Sequence, residues 1–62
     1  MITRVKNIAA SESVVVLRTL NRFPVSHGEV TDLSRTDGHK RITTQTEIKD
    51  LIRRGLLEEV NG

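Results

Sequence analysis

The stretch Ser11-Glu12-Ser13-Val14-Val15-Val16-Leu17-Arg18-Thr19-Leu20-Asn21-Arg22-Phe23-Pro24 carries two local signals that oppose each other. Ser11 is a residue type that caps helix amino termini, and Glu12 would stand at the positive end of the helix dipole. Val16, Leu17 and Leu20 would share one helical face, and Phe23-Pro24 would end the helix after about three turns. The β-branched run Val14-Val15-Val16 favours a strand instead. The helix accounts for more of the stretch, so a first helix is expected from Glu12 to about Arg22.

Working outward, Val25-Ser26-His27-Gly28-Glu29-Val30 has the spacing of a capping box between Ser26 and Glu29, with Val25 and Val30 placed as a hydrophobic staple. It predicts a short second helix with Val30 and Leu33 facing inward, ending between Ser34 and Asp37, with Gly38 in a left-handed position. A polar, basic connection, Gly38-His39-Lys40-Arg41, leads to a third helix. There Thr44 and Glu47 repeat the capping-box spacing, Ile48, Leu51 and Ile52 form the apolar stripe, and Gly55 ends the run. At the start of the chain, Ile2-Thr3-Arg4-Val5-Lys6 alternates as an edge strand would, with Arg4 and Lys6 toward solvent, or serves as a basic arm. Leu56 to Val60 reads as a short strand or a helix tail. Asn61-Gly62 is a hairpin signal, so this strand pairs either with chain beyond it or with Ile2 to Val5.

Sixty-two residues with 35% hydrophobic content and one aromatic side chain, Phe23, make one domain with a small aliphatic core. Such a core supplies only about 3–5 kcal/mol, so a homodimer or a larger protein partner is the expected supplement. Cysteine is absent, and His27 and His39 alone cannot complete a tetrahedral metal site, so neither a metal nor another cofactor is expected. The sequence has neither a membrane-length apolar run nor a secretory signal pattern, which predicts a soluble, cytoplasmic protein with no membrane partner.

Three short helices, the last ending in Leu51-Ile52-Arg53-Arg54-Gly55-Leu56-Leu57-Glu58-Glu59, resemble the winged helix-turn-helix DNA-binding domains of prokaryotic transcriptional regulators. In that family the third helix ends in a similar Leu-x-x-x-Gly-Leu turn into the first wing strand. The interval from Leu33 to Gly55 is also similar, and Gly38 falls where the family often has its turn glycine. The resemblance covers roughly Glu12 to Val60. It implies a mainly α fold, a three-helix helix-turn-helix core with a short or truncated β wing, and a regulator that binds double-stranded DNA through its third helix.

On that reading Gln45, Thr46, Lys49 and Arg53 lie on the side of the third helix opposite Thr44, Ile48, Leu51 and Ile52. Gln45 suits adenine edges, Thr46 a thymine methyl or a phosphate, and Lys49 and Arg53 guanine or phosphate oxygens. Thr43 joins them, Lys40 and Arg41 meet the backbone, and Arg4 and Lys6 add a phosphate or minor-groove contact. The alternative is a protein–protein interaction module of a larger assembly, with these residues as ordinary solvated surface and Arg18, Arg22 and His27 exposed. Catalysis is not expected. The acidic residues are scattered, the core is too small to enclose a pocket, and no phosphate-binding loop, nucleophile elbow or His-x-x-x-His helix occurs.

Overall fold

The computed structural model describes residues 1–35 and 42–61. Among the described residues five strands, β1 (Arg4–Asn7), β2 (Val14–Leu17), β3 (Phe23–Ser26), β4 (Val30–Asp32) and β5 (Leu57–Glu59), accompany one α-helix, α1 (Ile42–Arg53). Two short 3-10 turns cover Arg18–Leu20 and Leu33–Arg35. The strands form two antiparallel sheets, a three-stranded one in the order β4-β1-β5 and the ribbon β2-β3. The fold is therefore mixed α/β and mostly β, and the expected three-helix core is overturned.

The expected first helix fails at the valine run. Val15 and Leu17 are buried while Val14 and Val16 are exposed, the alternation of a half-buried strand rather than a helical face. Branched side chains lose little freedom on a pleated strand and crowd a helix, so the local preference prevails once β3 supplies a partner. Phe23-Pro24 does not end a helix but lies in β3. His27 N–H donates to the Ser13 carbonyl at 2.8 Å, which makes Ser13/His27, Val15/Val25 and Leu17/Phe23 the hydrogen-bonded pairs. Pro24, opposite Val16, thus occupies a position where its missing N–H costs no ladder bond.

The expected second helix is a turn and a strand. Ser26 uses its backbone carbonyl, not its hydroxyl, to accept from Glu29 N–H at 3.0 Å, and Gly28 takes φ +78° between them. A hydrogen-bonded turn with positive φ at its third residue reverses the chain. The residue types that suggest a helix cap suit such a turn equally well. Val30, expected inside, is on the outward face of β4 opposite Lys6 and is 49% exposed. Leu33 is buried as expected. Asp32 starts the second 3-10 turn, its Oδ1 accepting from the amide and hydroxyl of Ser34.

The third helix is present and starts at Ile42. Its end follows the sequence reading: Gly55 has φ +79°, Leu56 N–H reaches the Leu51 carbonyl and Gly55 N–H the Ile52 carbonyl, each at 3.0 Å. Those two bonds define a Schellman ending, and Leu51 and Leu56 both pack on the core beside it. The chain then enters β5, which pairs with β1, the second of the two expected partners. β1 is consequently the central strand, neither an edge nor an arm. Val5, Leu17, Val25, Leu33, Ile48 and Leu57 are among the side chains that form one aliphatic core between the two sheets and α1.

Candidate interaction surface

Three buried or half-buried polar side chains fix the frame on which the surface is built. Asn7, fully buried at the end of β1, donates from Nδ2 to the Val25 carbonyl and accepts the Ala9 amide on Oδ1, both at 2.9 Å, and so ties the larger sheet to the ribbon. Gln45 accepts the Ile2 amide at 2.9 Å and donates to the Ile2 carbonyl at 3.1 Å. Glu47 reaches from α1 to the end of β2, accepting the amides of Arg18 and Thr19 and the Thr19 hydroxyl. Partial burial acts to raise the Glu47 carboxyl, but Thr19's hydroxyl and amide, the Arg18 amide and the Arg18 charge outweigh it and hold the group below the usual glutamate range.

These contacts correct two expectations. Glu47 does not form a capping box with Thr44, whose hydroxyl is buried without a hydrogen-bond partner among the described residues. Gln45 does not face outward, because α1 turns both Thr44 and Gln45 toward the interior. Neither Asn7 nor the role of Glu47 is evident from local spacing, although Asn7 shares the inward phase of Val5 and Ala9, which marks it as a buried polar residue once β1 is known to be central.

Of the other residues expected to touch DNA, Thr43, Thr46, Lys49 and Arg53 are exposed on α1. The Thr46 hydroxyl donates to the Ile42 carbonyl at 2.8 Å. Asp50 pairs with Arg54 at 3.0 Å, and among the described residues neither Lys49 nor Arg53 has an ion-pair partner. Lys40, Arg41 and His39 lie outside the described residues, as does Gly38. Arg4 and Lys6 do not form a separate basic arm: on β1 they stand opposite Asp32 and Glu58, giving a sheet face of mixed sign. His27 is exposed.

The ribbon presents a different surface. Its inner face sends Val15, Leu17 and Val25 into the core, while its outer face carries Val14, Val16 and Pro24, with Val14 and Val16 about two-fifths exposed. Beside Val16 an open groove of about 590 Å³ is lined, among the described residues, by Val16, Arg18 and Arg22. Among the described residues its walls are three side chains, too few to enclose a small molecule. Arg22 ends the turn before β3 and, like Asn21, has a left-handed backbone, with φ of 59° and 53°. Among the described residues no group of histidine and acidic side chains is placed to hold a metal ion, and no helix is long and apolar enough to cross a membrane. No family model matches the chain, and no curated protein or solved structure matches it.

Proposed function

We propose that this chain is a non-catalytic protein-docking module, held in the cytoplasm as part of a larger assembly. The observation that carries this reading is the ribbon: Val14-Val15-Val16-Leu17 is apolar without interruption, the pattern of a strand covered on both faces, yet its outer valines, Val14 and Val16, stay about two-fifths exposed. An exposed apolar strip on a two-stranded ribbon is a surface suited to another chain.

The test replaces Val14 and Val16 together by threonine, which keeps β-branching and removes the apolar strip. The variant is expected to keep its melting temperature, because both side chains are at the surface of the isolated chain. A photo-crosslinking residue placed at position 14 of the full chain is expected to capture polypeptide in cells, and to lose that adduct when Val16 is changed to threonine. Clear destabilisation of the double variant, with no polypeptide adduct, would sink the reading, since the valines would then serve the isolated fold.

A second reading, duplex DNA binding through α1, is favoured by one observation: Thr46, Lys49 and Arg53 share an exposed helical face, and neither basic residue has an acidic partner among the described residues. Fluorescence anisotropy with a labelled duplex across a salt series tests it. A steep loss of binding with salt that also disappears in Lys49→Ala and Arg53→Ala supports it; no binding at low salt removes it.

A further inference from the structure

The register of the ribbon determines which of its backbone groups are available. With Ser13, Val15 and Leu17 bonded to β3, the amides and carbonyls of Val14, Val16 and Arg18 point to the other edge of β2. Arg18 N–H is taken by Glu47. Among the described residues, no strand pairs with the Val14–Val16 part of that edge. The same part borders the groove lined by Val16, Arg18 and Arg22.

We propose that this edge of β2, unpaired among the described residues, receives an extended, acidic segment of a partner protein, which adds as a strand beside Val14–Val16 and sets carboxylates against Arg18 and Arg22. The proposal rests on the docking reading and gives the partner its chemistry. Strand addition uses the unpaired backbone groups for affinity and the alternate side chains for selection. Here the selecting charges are positive. Neither arginine has an ion-pair partner among the described residues, and Glu47, the carboxylate that feels the Arg18 charge, already accepts three hydrogen bonds.

The positive charge beside the edge selects the occupant. Asn21 and Arg22, at the end of the five-residue connection between Leu17 and Phe23, both have positive φ, which glycine adopts without strain. Arginine at the second position carries a conformational cost that glycine avoids, and its side chain lines the groove. A second copy of this chain is a poor occupant. An antiparallel two-fold pairing of this edge centred on Val16 would set Arg18 opposite Val14 of the other copy, and so supplies neither arginine with a carboxylate.

The experiment follows backbone amide resonances and hydrogen exchange of the full chain while titrating a short blocked peptide of alternating glutamate and valine. The controls are the lysine–valine counterpart, a DNA duplex, and dilution of the protein alone. The glutamate peptide is expected to shift Val14, Val16 and Arg22 and to slow exchange of the Val14 and Val16 amides. Arg22→Glu is expected to weaken it about tenfold or more, and Arg22→Asn, which suits the same backbone, to weaken it while leaving the fold intact. Equal or better binding of the lysine peptide overturns the proposal, as do glutamate-peptide shifts confined to α1. Duplex binding at the same residues in place of the acidic peptide transfers the arginines to phosphate recognition and overturns it too. Shifts that depend on protein concentration alone assign the edge to a second copy. If neither peptide binds but the polypeptide adduct at position 14 persists, the acidic strand is wrong and docking stands; if that adduct is also absent, both fail.

Discussion

Gln45 on α1 holds Ile2 by both of its backbone polar groups, its amide oxygen accepting from Ile2 N–H at 2.9 Å and its amide nitrogen donating to the Ile2 carbonyl at 3.1 Å. A side chain from late in the sequence thus gives the segment before β1 the pair of hydrogen bonds that a neighbouring strand would supply. The contact is buried, so its bonds are protected from competition by water.

Gln45→Ala removes both bonds and leaves buried backbone groups to find water. The expected loss is about 2 kcal/mol in urea unfolding, with the amide of Ile2 losing its protection from hydrogen exchange. Gln45→Glu should be at least as damaging, because it puts a carboxylate against the Ile2 carbonyl. A Gln45→Ala protein as stable as the parent would show that this clamp is incidental.

Asn7 joins the two sheets, so its removal should act on both. Asn7→Ala is expected to cost about 2–3 kcal/mol, combining a lost buried side chain with an unpaired Ala9 amide. Asn7→Asp retains the bond from Ala9 but places a charge in a fully buried position. Burial raises the folded-state value of such a carboxyl, so this variant should lose stability as pH rises from the acid range and recover part of it on acidification. Urea unfolding at several pH values reads both effects.

For Glu47 the sign is opposite. Its folded-state value is held below the ordinary one, so its contribution is fully present above the usual glutamate range and is lost as pH falls through the folded value. Denaturation midpoints should therefore decline below about pH 4.3, and Glu47→Gln should show a shallower decline there than the parent. Identical acid profiles for the two proteins would remove the carboxylate from the account of how α1 is fixed to the end of β2.

Gly55 and Arg22 have the same kind of backbone and should respond in opposite directions. A side chain at Gly55 meets no atom within 4 Å, so Gly55→Ala pays only for φ +79°, about 1 kcal/mol. Arg22 already bears that cost at φ 59°, so Arg22→Gly or Arg22→Asn should be neutral to stabilising by about 0.5–1 kcal/mol. Thermal unfolding of the variants separates the two directions; a clear loss of stability in Arg22→Asn would mean that the arginine side chain holds the turn together.

The helix α1, its glycine ending and the inward Ile48 were legible in the sequence because a helix draws on contacts three and four residues apart, all local. The partner of the last strand was left open between two alternatives, because Leu56-Leu57-Glu58-Glu59-Val60 does not alternate; the fold decided for β1. The sequence also contained the strand preference of Val14-Val15-Val16, but its local signals left that preference competing with an apolar helical face. Only tertiary structure resolved the competition, by placing β3 beside β2 so that alternation, and not a helical stripe, buried Val15 and Leu17. The same holds for Ser26 to Glu29, whose residue types serve a helix cap and a reverse turn alike, and for Asn7, Gln45 and Glu47, whose partners stand far away along the chain. Local sequence specifies which backbone states are cheap. Long-range contacts decide which of them is used, because burial and hydrogen bonding are settled between segments that only the folded chain brings together.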